Sequence, residues 1–147
     1  MTTKKEGNLP LFYLHRLIDA NLNRLREGIR VCEDIERYIN NNKELSQKLK
    51  SIRHDCRVKD ALIYLMSRDI VGDVLKETTV SESKRADIAS VQISNIKRAQ
   101  ESARVLEESL KLLDEKEAQK FKLIRYALYG LEKDILVPQI NITSNSK

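Results

Sequence analysis

The chain has 147 residues, 41% hydrophobic and 33% charged, with 4 Gly, 2 Pro and no Trp. That length supports one domain with a continuous core, and the excess of charge over turn-forming residues predicts an all-α protein. The four glycines, at 7, 28, 72 and 130, exclude both the GxGxxG and the GxxxxGK phosphate loops, so side chains and helix ends must hold any phosphate. A net charge of +5 suits an anionic partner.

Cys32 and Cys56 lie far apart, with only His15 and His54 as imidazole partners, which excludes a zinc site of recognisable spacing. They are read as small buried apolar residues. Two thiols, no secretory signal and no apolar run long enough to span a bilayer predict a cytoplasmic protein with no membrane segment. Residues Lys43 to Asp60 carry six cationic and three anionic side chains. No aromatic residue is interleaved for base stacking, which argues against a nucleic-acid partner.

Asn8, Leu9 and Pro10 read as a helix start, with Pro in the first turn where its missing N–H costs nothing. Ile18, Leu22, Leu25, Ile29 and Cys32 then form one apolar face, and Asn40 to Asn42 form the stop. Leu45, Leu49, Ile52, Cys56, Ile63, Met66 and Ile70 predict a second long helix over about Lys43 to Ser67. Gly72 and the polar run 78–83 mark a short connection. Thr79 and Glu82 have the form of a capping box, which starts a third helix near Val80. Its seam is Ile96, Ala99, Ala103, Leu106, Leu110 and Leu113. A fourth helix, about Glu115 to Leu136, carries Phe121, Ile124, Leu128, Leu131 and Ile135, and Pro138 ends it. Residues 1–9 and 138–147 are expected to be flexible, and 10–137 to form one helical domain.

The two halves repeat. Asn21, Arg24, Glu27, Arg30, Val31 and Glu33 recur, at an offset of 74, as Asn95, Arg98, Glu101, Arg104, Val105 and Glu107. Ile52-Arg53-His54 corresponds to Ile124-Arg125-Tyr126 at an offset of 72. Two helical hairpins, over about 14–70 and 88–136, would build a four-helix bundle with pseudo-twofold symmetry. On the helical wheel Asn21, Arg24 and Gly28 lie beside the seam, Glu33 lies on its other flank, and Glu27 and Arg30 point away.

A ladder of charges on a solvated face is the bland alternative. It requires no fixed residue type, yet Arg and Glu are kept in place across both halves while core neighbours change. Arg grips phosphate bidentately and Asn orients without charge. Carboxylates nearby would hold the Arg forks or bind Mg²⁺. Gly28 and Ser102 are small and equivalent, which permits close approach. Arg68, Asp69 and Asp73 flank Gly72, where two carboxylates four apart are either metal ligands or a simple helix end. His54 is read as a general acid, a phosphate ligand or a structural residue.

The run Leu17 to Asp34 resembles the atypical hydroxymethylpyrimidine-phosphate kinase family of thiamin biosynthesis, found alone or fused ahead of thiamin-phosphate synthase. Ile52-Arg53-His54, Arg68-Asp69, Asp73-Val74, Asn95 to Glu108, Arg125-Tyr126 and Leu131-Glu132-Lys133 support the resemblance over about Leu14 to Leu136. Leu75 departs from the family, which more often has Gly after Asp-Val. The resemblance implies transfer of the ATP γ-phosphoryl group to 4-amino-5-hydroxymethyl-2-methylpyrimidine phosphate, with Mg²⁺. It also implies a stand-alone member or an excised domain, with thiamin-phosphate synthase as the partner. Arg30, Arg104 and His54 are taken as catalytic candidates, and Asn21, Arg24, Asn95, Arg98, Arg68 and Arg125 as phosphate-binding ones. Glu27, Glu33, Asp69, Asp73, Glu101 and Glu107 are the metal candidates. The repeat leaves open one composite site or two equivalent ones. An apolar face on the third helix is where a homodimer would form, and a non-catalytic helical module is the alternative.

Overall fold

A computed structural model describes residues 10–78 and 84–145, with side chains described as far as Pro138. Helix α1 spans Leu11–Asp34 and runs into a π-helical turn, Ile35–Ile39. Asn40 ends that turn, Asn41 takes a positive φ of 50°, and the Asn42 side chain accepts from the Leu45 N–H to start α2, Lys43–Asp55. The three asparagines thus stop one helix and cap the next, because Asn tolerates the left-handed region and offers a short acceptor. A short α3, Ala61–Met66, follows, and then α4, Ile88–Leu110, and α5, Glu115–Asn145. The fold is all-α.

The second long helix of the sequence reading is broken in two. Cys56 leaves helical geometry at φ −79° and ψ 70°, and side chains of other helices take over the freed backbone groups. Arg26 donates to the Cys56 carbonyl, Lys120 to the Arg57 carbonyl, and the Lys59 N–H donates to the Glu117 carboxylate. With the register lost, Ile63, Met66 and Ile70 are exposed and Tyr64 is the buried residue of α3. Leu62, Leu65, Val71, Val74 and Leu75 are exposed as well.

Two boundaries also differ. Helix α4 begins at Ile88, not near Val80. Asp87, in extended conformation, caps it by accepting from the Ser90 N–H and hydroxyl. The Thr79–Glu82 pair and Asn8 lie outside the described residues. Helix α5 continues through Pro138 to Asn145. Proline costs the helix one N–H bond, but Asp134, whose carbonyl loses that partner, is exposed and open to water.

Helices α1 and α4 form the central pair, with α2 packed on α1 and α5 on α4. They run antiparallel: the Cys32 thiol meets the Gln92 carbonyl at 3.5 Å, and Gly28 faces Asn95. The first seam, Ile18 to Cys32, is buried throughout, as are Ile96, Ala99, Ala103, Leu106 and Leu110 on α4 and Phe121 to Ile135 on α5. Leu113 falls beyond α4 and is exposed. Burial pushes both thiols up, to about 12 in each case.

Candidate functional site

Where α1 and α4 cross, a Cβ at Gly28 would stand 2.8 Å from the Asn95 carbonyl oxygen and 3.4 Å from the Ala99 Cβ. Glycine is required there because the two backbones touch. Beside the crossing lies a groove of about 490 Å³. Its walls are the repeat itself: Asn21, Arg24, Glu27 and Gly28 from α1 face their equivalents Asn95, Arg98, Glu101 and Ser102 from α4. The two copies therefore build one shared groove. Glu27, which the helical wheel turned away, lines it.

The local geometry is duplicated with the residues. The Asn21 amide donates to the Leu17 carbonyl at 3.0 Å, and the Asn95 amide donates to the Val91 carbonyl at 2.8 Å. A carbonyl only accepts, so each bond fixes its amide's orientation. Among the described residues neither Asn oxygen accepts a hydrogen bond. Arg24 and Arg98 are exposed into the groove, and neither Glu27 nor Glu101 forms an ion pair among the described residues.

Other repeated residues do different work. Glu33 is 2% exposed and holds Arg53 through two bonds of 2.7 and 3.2 Å. Its equivalent, Glu107, holds Arg125 at 2.7 and 3.3 Å. These matched pairs fasten α2 to α1 and α5 to α4. The structure thus places Glu33, Glu107 and Arg125 inside the hairpins rather than in the groove, since a buried carboxylate needs a paired cation. The Tyr129 hydroxyl and Glu107 raise the Arg125 pKa further, keeping it charged. Arg30 and Arg104 are exposed and pair with Asp34 and Glu108 one turn on; neither lines the groove. His54 is exposed and borders a separate hollow between α2 and α5 with Lys120 and Leu123.

A second cleft, of about 390 Å³, adjoins the groove, and Asn21 and Arg24 line both. Arg68, Asp69 and Asp73 belong to this cleft. Arg68 donates two bonds to buried Asp19, at 2.8 and 2.9 Å, and Arg16 donates to the Asp69 carbonyl at 3.2 Å. Asp69 and Asp73 each accept from a backbone N–H a few residues on, those of Gly72 and Leu75. The carboxylates thus shape the loop. Tyr13, Arg16 and Asp19 were not singled out from sequence; none recurs in the second copy, where Asp87, Ser90 and Ile93 stand. Charged Asp19 inside the apolar seam was the available signal.

Among the described residues no three His, Cys, Asp or Glu side chains cluster as a ready-made metal site. No helix among them is long and apolar enough to cross a membrane.

Fold and site together define a class: an α-helical protein of two duplicated hairpins whose central helices share one groove lined by Asn, Arg and Glu. Residues 16–134 match the model of the ThiD2 family, and the chain belongs to that family. It is 35% identical over 137 residues to a thiamine-phosphate synthase of Rhodopirellula baltica, covering 90% of this chain and 36% of that protein. It is 37% identical over 124 residues to a thiamine-phosphate synthase of Nostoc punctiforme, covering 84% of this chain and 35% of that one. A thiamine-phosphate synthase of Synechocystis sp. is 36% identical over 122 residues. The chain spans about a third of the length of these curated relatives. No solved structure matches it significantly.

Proposed function

We propose that the chain acts in thiamin biosynthesis as a kinase that transfers the ATP γ-phosphoryl group to 4-amino-5-hydroxymethyl-2-methylpyrimidine phosphate, giving the diphosphate and ADP. The observation that carries this reading is the convergence of both repeat copies on one groove, with Arg24 and Arg98 exposed into it. A phosphate oxygen of the acceptor attacks the γ-phosphorus and the bond from that phosphorus to the β-bridging oxygen breaks. The second pKa of a phosphate monoester is about 6, so the attacking oxygen is ionised at neutral pH and needs no base. His54, remote from the groove, is then dispensable. What remains is positioning and charge neutralisation, which the forks of Arg24 and Arg98 suit.

Mg²⁺ bound to nucleotide takes one or two protein carboxylates and keeps phosphate and water ligands. Glu27 and Glu101, in the groove and outside any ion pair among the described residues, fit that donor set and would hold the ion. It supplies neutralisation of the triphosphate charge when bound. In the adjoining cleft Arg16, Arg24 and Arg68 are matched by Asp19, Asp69 and Asp73, and Arg68 is spent on Asp19.

A second reading, a non-catalytic module that binds or regulates a thiamin-pathway partner such as the synthase, draws on the exposed apolar side chains from Leu62 to Leu75. ADP release from ATP, Mg²⁺ and the pyrimidine monophosphate, run beside the free pyrimidine alcohol, separates the two. The kinase turns over the monophosphate alone, and Arg24→Lys and Arg98→Lys each lose at least tenfold because an ammonium cannot replace a bidentate fork. Folded protein inert toward both compounds would leave the module standing. Efficient phosphorylation of the alcohol would refute the base-free argument.

A further inference from the structure

The groove is nearly symmetric, but its surroundings are not. At its α1 end lies the cleft bounded by the loop that follows α3, whereas the positions equivalent to Tyr13 and Leu17, at and just after the start of α4, hold Asp87 and Val91. Two arginine contacts build this cleft: Arg68 on Asp19 and Arg16 on the Asp69 carbonyl both tie the loop after α3 to α1. Apolar surface enters it from Tyr13, Leu17 and Ile70. At the seam between cleft and groove sits Asn21, 3% exposed. Its amide is spent on the Leu17 carbonyl, and among the described residues its oxygen has no partner. A buried acceptor left empty costs free energy unless a ligand donor meets it. Phosphate offers no donor at neutral pH, so this acceptor is meant for something other than phosphate.

Resting on the kinase reading, we propose that this cleft is a ring subsite for an amino-substituted heteroaromatic ring. The ring lies against Tyr13, Leu17 and Ile70 and its exocyclic amine donates to Asn21 Oδ1. The ligand's phosphate then runs past Arg24 into the shared groove. Both substrates of the proposed reaction carry an aminopyrimidine edge next to phosphate, the adenine of ATP and the pyrimidine of the acceptor. The subsite chemistry is common to them, and the experiment assigns the source.

The test is equilibrium binding of three probes to the full chain: a non-hydrolysable ATP analogue, the pyrimidine monophosphate, and inorganic pyrophosphate, which has no ring. Tyr13→Ala, at an exposed position, and Asn21→Ala, checked by thermal unfolding, are compared with the unsubstituted protein. The subsite requires both variants to lose about tenfold for one of the two ring-bearing probes, while pyrophosphate stays within twofold; the affected probe names the occupant. Equal losses for all three probes, or no loss for either ring-bearing probe, overturn the subsite and leave the kinase reading intact. Unsubstituted protein that binds neither ring-bearing probe overturns both.

Discussion

Gly28→Ala tests the crossing of α1 and α4 directly, with Gly130→Ala as its control. Both glycines lie inside long helices, where Gly→Ala gains about 1 kcal/mol of helix propensity. At Gly130 a Cβ meets nothing within 4 Å, so that gain is realised and the melting temperature rises by about 2–4 °C. At Gly28 the same Cβ lands 2.8 Å from the Asn95 carbonyl oxygen. That atom belongs to a helix backbone and yields only if the whole of α4 shifts. Overpacking of this kind costs about 1–3 kcal/mol. Propensity cancels between the two variants, so the difference between them is the strain alone, about 3–10 °C in melting temperature. Thermal unfolding followed by circular dichroism measures it. Two variants agreeing within a degree would mean that the central helices do not touch at Gly28, and the groove geometry built on that contact would fall with it.

Glu107→Ala strands Arg125, whose side chain is 9% exposed, and should cost about 3–5 kcal/mol in urea unfolding; Glu33→Ala strands Arg53, 20% exposed, and should cost less. Equal costs would contradict the role given to burial. Burial alone would raise the Glu132 carboxyl, but hydrogen bonds from Lys97 and Gln100 outweigh it and hold the pKa below the ordinary 4.5. A lowered folded pKa adds stability that is complete above the unfolded value and is lost as pH falls through the folded one. Glu132→Gln should therefore flatten the decline in melting temperature below about pH 4.5 and leave its shape at neutral pH unaltered. Cys32 and Cys56, with thiols pushed up to about 12 by burial, should resist a thiol reagent at pH 8 until the chain unfolds. Labelling of either in native protein would show that the core around it opens.

The repeat made most of this architecture readable. An unbroken spacing of threes and fours in Ile18 to Cys32 and in Phe121 to Ile135 admits only a helix with one buried face, and both faces are buried as read. The asparagine stop was legible because Asn42 needs only its own neighbours to cap α2. The break at Cys56 was not, since it depends on Arg26, Lys120 and Glu117, which reach it from 30 to 63 residues away. Asp87 was overlooked for a similar reason: a single capping residue competes poorly with a four-residue pattern such as Thr79 to Glu82. At the site, repetition identified residues that matter without dividing their labour. Glu33 and Glu27 recur alike in sequence, yet one closes a hairpin with Arg53 and the other lines the groove. Only the position of a second helix tells them apart.

Because the groove takes half its wall from each hairpin, neither hairpin alone carries the complete groove. A fluctuation that undocks α1 from α4, even with every helix intact, erases the whole of it. The converse follows from mass action: a ligand held across the junction binds only the docked form and stabilises it by RT ln(1 + [L]/Kd). Occupancy is thereby converted into cohesion between the two halves of the chain. Limited proteolysis of the whole chain should accordingly slow when a ligand spans the groove.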